Sequence, residues 1–121
     1  MIPSFLLKRL YVKGSLRNTE NGFSFEIKND LGSGYAKELL PLNVDGREVP
    51  KECSFFEVEG RRFPFTSVSP ESPFSLVKGK TSRIYVEGMR LPKGVHRINM
   101  GFVVGGIGKL SFDIVDEIKE E

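Results

Sequence analysis

His96–Ile114, HRINMGFVVGGIGKLSFDI, is the stretch that decides the fold class. His96, Ile98, Met100, Phe102 and Val104 alternate with Arg97, Asn99, Gly101 and Val103, and the alternation resumes as Leu110, Phe112 and Ile114. Successive side chains of a strand point to opposite faces, so a period of two marks a strand with one buried face. Between the two runs stands Gly105-Gly106-Ile107-Gly108. Glycine adopts positive φ without strain, so the stretch reads as two antiparallel strands joined by a glycine turn.

The same period recurs outward from this hairpin. In Gly22–Lys28, GFSFEIK, Phe23, Phe25 and Ile27 share one face while Ser24, Glu26 and Lys28 share the other. Leu42–Pro50, LNVDGREVP, is a strand, an Asp-Gly turn and a return strand stopped by proline; a type I′ turn with positive φ at both central residues fits that dipeptide. A further hairpin runs from Phe55–Val58 through Glu59-Gly60 into Arg61–Phe65, and Thr81–Glu87 supplies another strand, ended by Gly88. Helical spacing is confined to Tyr35–Leu40, which Pro41 would stop, and to the tail Val115–Glu121. Thr66–Pro73, TSVSPESP, breaks every pattern and reads as a loop. Short strands separated by Gly, Pro, Asn and Asp turns predict an all-β chain, an antiparallel β-sandwich or small barrel built from hairpins with little helix. Residues 1–121 are expected to form one β domain, because either side of the loop alone is too short for a core.

Composition narrows the function classes. Eighteen basic and 16 acidic residues give a net charge of +2 without a basic stripe, which argues against nucleic acid as a partner. One cysteine, Cys53, rules out an internal disulfide framework and points to a reducing, cytoplasmic setting. The N-terminus, MIPSFLLKRLYVKG, is interrupted by Lys8 and Arg9 and has neither a continuous apolar h-region nor a span-length run, so no membrane partner is expected. The absence of Gln and the 28% of charged residues lean toward a heat-adapted source.

No residue is assigned to catalysis, to a metal or to a cofactor. His96 is the one histidine, so a histidine metal cluster is excluded, and its position in phase with Ile98 and Met100 makes it structural. Cys53 has no adjacent base and reads as a small buried hydrophobe. Glu57 with Glu59, and Asp113 with Asp116 and Glu117, fit solvated strand faces better than an acid/base pair across a cleft. The glycines at 105, 106 and 108 precede a strand, whereas a phosphate cradle precedes a helix. Phe5, Phe63, Phe65 and Phe74 lie beside loops or prolines, where exposure would mark a partner surface or a sugar-stacking site.

Four motifs in order, GSLRN at Gly14–Asn18, GFSFEIK, VDGREVP and LPKGVHRI at Leu91–Ile98, resemble the small beta subunits of C-glycoside deglycosidases. The resemblance implies a β-sandwich that pairs with a larger xylose-isomerase-like barrel subunit, which carries the metal and the acid/base residues. On this reading the chain is a non-catalytic accessory subunit of a sugar-processing complex, or a homo-oligomer. The alternative is a stand-alone carbohydrate-binding or structural β-sandwich module. An enzyme in its own right ranks last, since one His and one Cys leave few nucleophile and base combinations.

Overall fold

The computed structural model describes residues 3–32 and 34–119, and it is an antiparallel two-sheet β-sandwich. The first sheet has the order β1-β2-β9-β6-β7, from β1 (Arg17–Asn18), β2 (Gly22–Lys28), β9 (Thr81–Glu87), β6 (Ser54–Val58) and β7 (Arg61–Pro64). The second is centred on β10 (Gly94–Val104), which pairs along its whole length with β11 (Gly108–Ile118). On its other side β10 holds β4 (Asn43–Val44) at Ile98 and Asn99 and β3 (Gly34–Leu39) from Phe102 onward. Outside these lie β5 (Arg47–Glu48) and β8 (Phe74–Leu76). One helical turn, α1 (Ser4–Leu7), and a 3-10 turn, Lys8–Leu10, pack on β11. They cover the long edge strand, which would otherwise offer unpaired backbone groups. No helix among the described residues is long and apolar enough to cross a membrane.

The alternating positions become the core. Phe23, Phe25 and Ile27 of β2 face Ile98, Met100, Phe112 and Ile114 of β10 and β11 within one buried apolar cluster. Both two-residue hairpins close as the sequence predicts: Asp45 and Gly46 have φ of 51° and 88°, and Glu59 and Gly60 have 50° and 80°. Gly22 is required by close approach, since a Cβ there would lie 1.7 Å from the Val86 carbonyl oxygen of the neighbouring strand.

Two helical expectations are overturned. Tyr35–Leu40 is largely strand β3, paired with β10 and β8. Its apolar residues Ala36 and Leu39 are spaced by three because the ladder steps from Glu38↔Val103 to Ala36↔Val104, leaving Lys37 as an extra, bulged residue. A bulge converts period two into a spacing that imitates one helical turn. In the tail, Val115–Ile118 continues β11 against Gly94–Arg97, while positions 120 and 121 lie outside the described residues. The stretch read as a loop carries a 3-10 turn at Phe65–Ser67 and a bridge between Ser69 and Ser72 before β8.

Candidate functional site

The candidate groups divide into a histidine clamp, a tyrosine–aspartate clamp and an apolar pocket. The sequence places His96 on the inward face of β10, and it is 6% exposed there. The Asp-Gly turn of the β4–β5 hairpin brings Asp45 beneath it. His96 Nδ1 lies 2.6 Å from Asp45 Oδ2 and Nε2 lies 2.7 Å from the Pro92 carbonyl oxygen. A carboxylate and a carbonyl both accept, so the arrangement favours the imidazolium, the form in which both ring nitrogens donate. Burial pulls its pKa down, but the hydrogen bonds His96 donates to Asp45 and Pro92 and the charge of Asp45 outweigh it, and the net shift is upward. The Asp45 carboxyl is held below its ordinary range by the His96 bond and by the Arg97 N–H, which donates to Oδ1 at 2.9 Å. With both nitrogens engaged, His96 has no free lone pair for general-base work.

A second clamp lies at the same end of the β10–β11 ladder, on Asp116, which pairs directly across from His96. Tyr11 donates its hydroxyl to Asp116 Oδ2 at 2.5 Å, and the Gly14 N–H donates to the same oxygen at 2.8 Å. The Leu16 N–H donates in turn to the tyrosine oxygen at 3.1 Å. Burial and the Asp116 contact push the Tyr11 pKa up to about 12. For Asp116, burial acts upward but is outweighed by the bonds from Tyr11, the Glu117 and Gly14 N–H groups and the charge of Lys13, so the shift is downward. The clamp fastens the N-terminal segment to the sandwich. Around it lies a polar groove of about 580 Å³ bordered by Lys13, Arg17, Arg90 and Lys119.

The pocket sits where the sheets part, at the end of the sandwich that bears the β10–β11 turn. It is a half-open cavity of about 150 Å³. Ile27 reaches it from the first sheet, Met100, Phe102 and Leu110 from the second, and Leu7 and Leu10 from the N-terminal segment. Tyr35 and Ile107 line it while more than half exposed, and the exposed Phe5 and Val77 lie within two residues of the lining Leu7 and Leu76.

Other sequence candidates fall outside these sites. Cys53 is half-buried against the core, so it packs as a hydrophobe without being fully enclosed. Glu57 receives a long 3.4 Å contact from the Tyr85 hydroxyl, and Glu59 forms the β6–β7 turn. Asp113 is tied to Arg97 at 3.2 Å and to Asn99 at 2.9 Å. Of the four phenylalanines beside loops, Phe5 alone is exposed; Phe65 and Phe74 are buried, and Phe63 stacks on Phe56 at 5.7 Å. Among the described residues no three His, Cys, Asp or Glu side chains group to hold a metal ion. Sequence reasoning missed the pairing of Asp45 with His96, although both residues stood in motifs already singled out. It also missed the pocket, which no local pattern encodes because its walls come from stretches far apart in the sequence.

These features define a hairpin-built β-sandwich domain whose polar groups are largely spent on holding its own strands and N-terminus. The family model of the hydroxymethylglutaryl-CoA reductase N-terminal domain matches residues 6–119, and the chain belongs to that family. Comparison with curated proteins returns no match. The family match corrects the resemblance to C-glycoside deglycosidase small subunits. Its four motifs are, in the structure, a glycine turn into β1, strand β2, the β4–β5 hairpin and the loop into β10. Each is a β-turn or strand signal that antiparallel proteins share, and Asp45 and His96, which two of them carry, are spent on each other.

Proposed function

We propose that the chain is a non-catalytic domain that acts by contact, accompanying hydroxymethylglutaryl-CoA reductase chemistry carried elsewhere, on the same polypeptide or on a partner. Membership of a family described as the N-terminal domain of that reductase supports the setting. The observation that carries the non-catalytic reading is the His96 clamp: both nitrogens of the sole imidazole are engaged by structural partners, Asp45 and the Pro92 carbonyl, which leaves neither free to face a substrate. Tyr11 and Asp116 are consumed in the same manner beside it, Asp116 being the cross-strand partner of His96. A surface for contact is available at the pocket mouth, where Tyr35 and Ile107 stand more than half exposed, since exposed apolar patches mark interaction sites.

The test is turnover of hydroxymethylglutaryl-CoA by three samples: the 121-residue chain alone, a family reductase from which this domain has been deleted, and that reductase with the chain added back. The chain alone is expected to be inactive, and adding it back to restore the stability or assembly of the reductase. Reduction of the thioester by the isolated chain would overturn the reading.

A further inference from the structure

We propose that the apolar pocket between the sheets is a binding site for a small apolar guest, one aromatic ring or a branched aliphatic group of about six carbons. This property belongs to the chain itself and goes beyond its relation to a reductase.

The first support is size. Native cores are close-packed and hold few voids larger than a water molecule, whereas this one measures about 150 Å³ and opens to solvent. A cavity of about that volume lined by Leu, Ile and Phe stays dry and accepts benzene or xenon.

The second is chemistry. The polar side chain in the wall, Asn29, has no capacity left for a guest or for water. Its Nδ2 donates to the Leu76 carbonyl at 2.7 Å and to the Gly32 carbonyl, and its Oδ1 accepts from the Leu31 and Gly32 N–H groups at 3.0 and 3.2 Å. That is two donors and two lone pairs, three used within the loop and one on the β8 carbonyl of Leu76. A sugar would bury hydroxyls there without partners, which is unfavourable. The polar handle left at the rim is the Tyr35 hydroxyl.

The third is the mouth. A Cβ at Gly32 or Gly34 would meet nothing within 4 Å, so these glycines leave the entrance unobstructed. The Tyr35 ring lies across Gly105 of the β10–β11 turn, where a Cβ would stand 3.3 Å from the tyrosine oxygen. An aromatic edge thus borders the opening, and a guest's polar end would remain beside it.

The experiment is titration of the folded chain with benzene, followed by the methyl resonances of Ile27, Met100 and Leu110 and by thermal melting. Saturable shifts confined to these methyls, with a rise in Tm, are expected. Ala36→Leu fills the pocket from β3 and should weaken binding at least tenfold while keeping the strand spectrum. Val104→Phe fills it from β10 and replaces the first variant if that one does not fold. No saturable shift in the parent up to the solubility of benzene would overturn the proposal, as would equal binding by the filled variants. Glucose, run in parallel, should leave the same methyls unmoved; a saturable glucose response would overturn the apolar class of guest.

Discussion

Asp45→Asn isolates the charge of the histidine clamp from the turn that carries it. Asparagine tolerates a φ of 51° and keeps an oxygen for the Arg97 N–H, so the hairpin is preserved. What is lost is the anionic acceptor 2.6 Å from His96 Nδ1. Hydrogen bonds to charged groups contribute about 1.5–3 kcal/mol and neutral ones about 1. Because the Asp45 side chain is 44% exposed, screening takes the effect toward the low end, and a loss of about 1–2 kcal/mol is expected. With a urea slope typical of a small domain, the unfolding midpoint should fall by about 1 M. Asp45→Ala also strains the positive-φ position and strips the Arg97 contact, and should lose about 3 kcal/mol.

The pH dependence separates the clamp from a generic surface effect. The folded pKa of His96 is raised above 6.5, so its contribution is complete below that value and is lost as pH rises through the folded pKa. Asp45 is lowered from 3.8, so its contribution is complete above that value and is lost as pH falls through the folded pKa. Urea melts of the parent should therefore show declining stability above pH 6.5, and Asp45→Asn should abolish that decline. Identical midpoints and identical pH slopes in parent and variant would refute the clamp.

Three further outcomes follow from packing. Gly22→Ala sets a Cβ 1.7 Å from the Val86 oxygen and should destabilise by about 3 kcal/mol through forced separation of β2 and β9, read as a drop in Tm. Ser54 buries a hydroxyl with no hydrogen-bond partner among the described residues, so Ser54→Ala should be neutral or stabilise by about 1 kcal/mol. Tyr11, ordinarily ionising at 10 and pushed up to about 12, contributes stability that is complete below pH 10 and lost as pH rises through about 12; ultraviolet titration should find one late-ionising phenol, which Tyr11→Phe removes.

Where local pattern and tertiary pairing agree, the sequence is a good guide. Gly22–Lys28 and Thr81–Glu87 appear as strands with the boundaries their alternation and flanking glycines imply, and the positive-φ turns fall on Asp-Gly and Glu-Gly. Reading fails where two segments jointly decide the outcome. Ala36 and Leu39 imitate a helix because a bulge at Lys37 lets both face the core. Asp116 occupies an inward-phase position of β11 that Tyr11, 105 residues away, and the Gly14 N–H help make tolerable. The pocket is the extreme case: its walls belong to both sheets and to the N-terminal segment, and no window of sequence contains it.

The central claim, the proposal that this domain contributes contact and not chemistry, is tested most directly by the turnover number of a family reductase that carries it or is mixed with it. The domain would carry His96→Gln, Asp116→Asn and Cys53→Ala in turn, assayed at a temperature where each variant remains folded. The account predicts a kcat within about twofold of the parent for all three, since none of these groups touches substrate. A fall of a hundredfold in kcat for any one, about 2.7 kcal/mol of transition-state stabilisation, in a protein with unchanged strand content would contradict it.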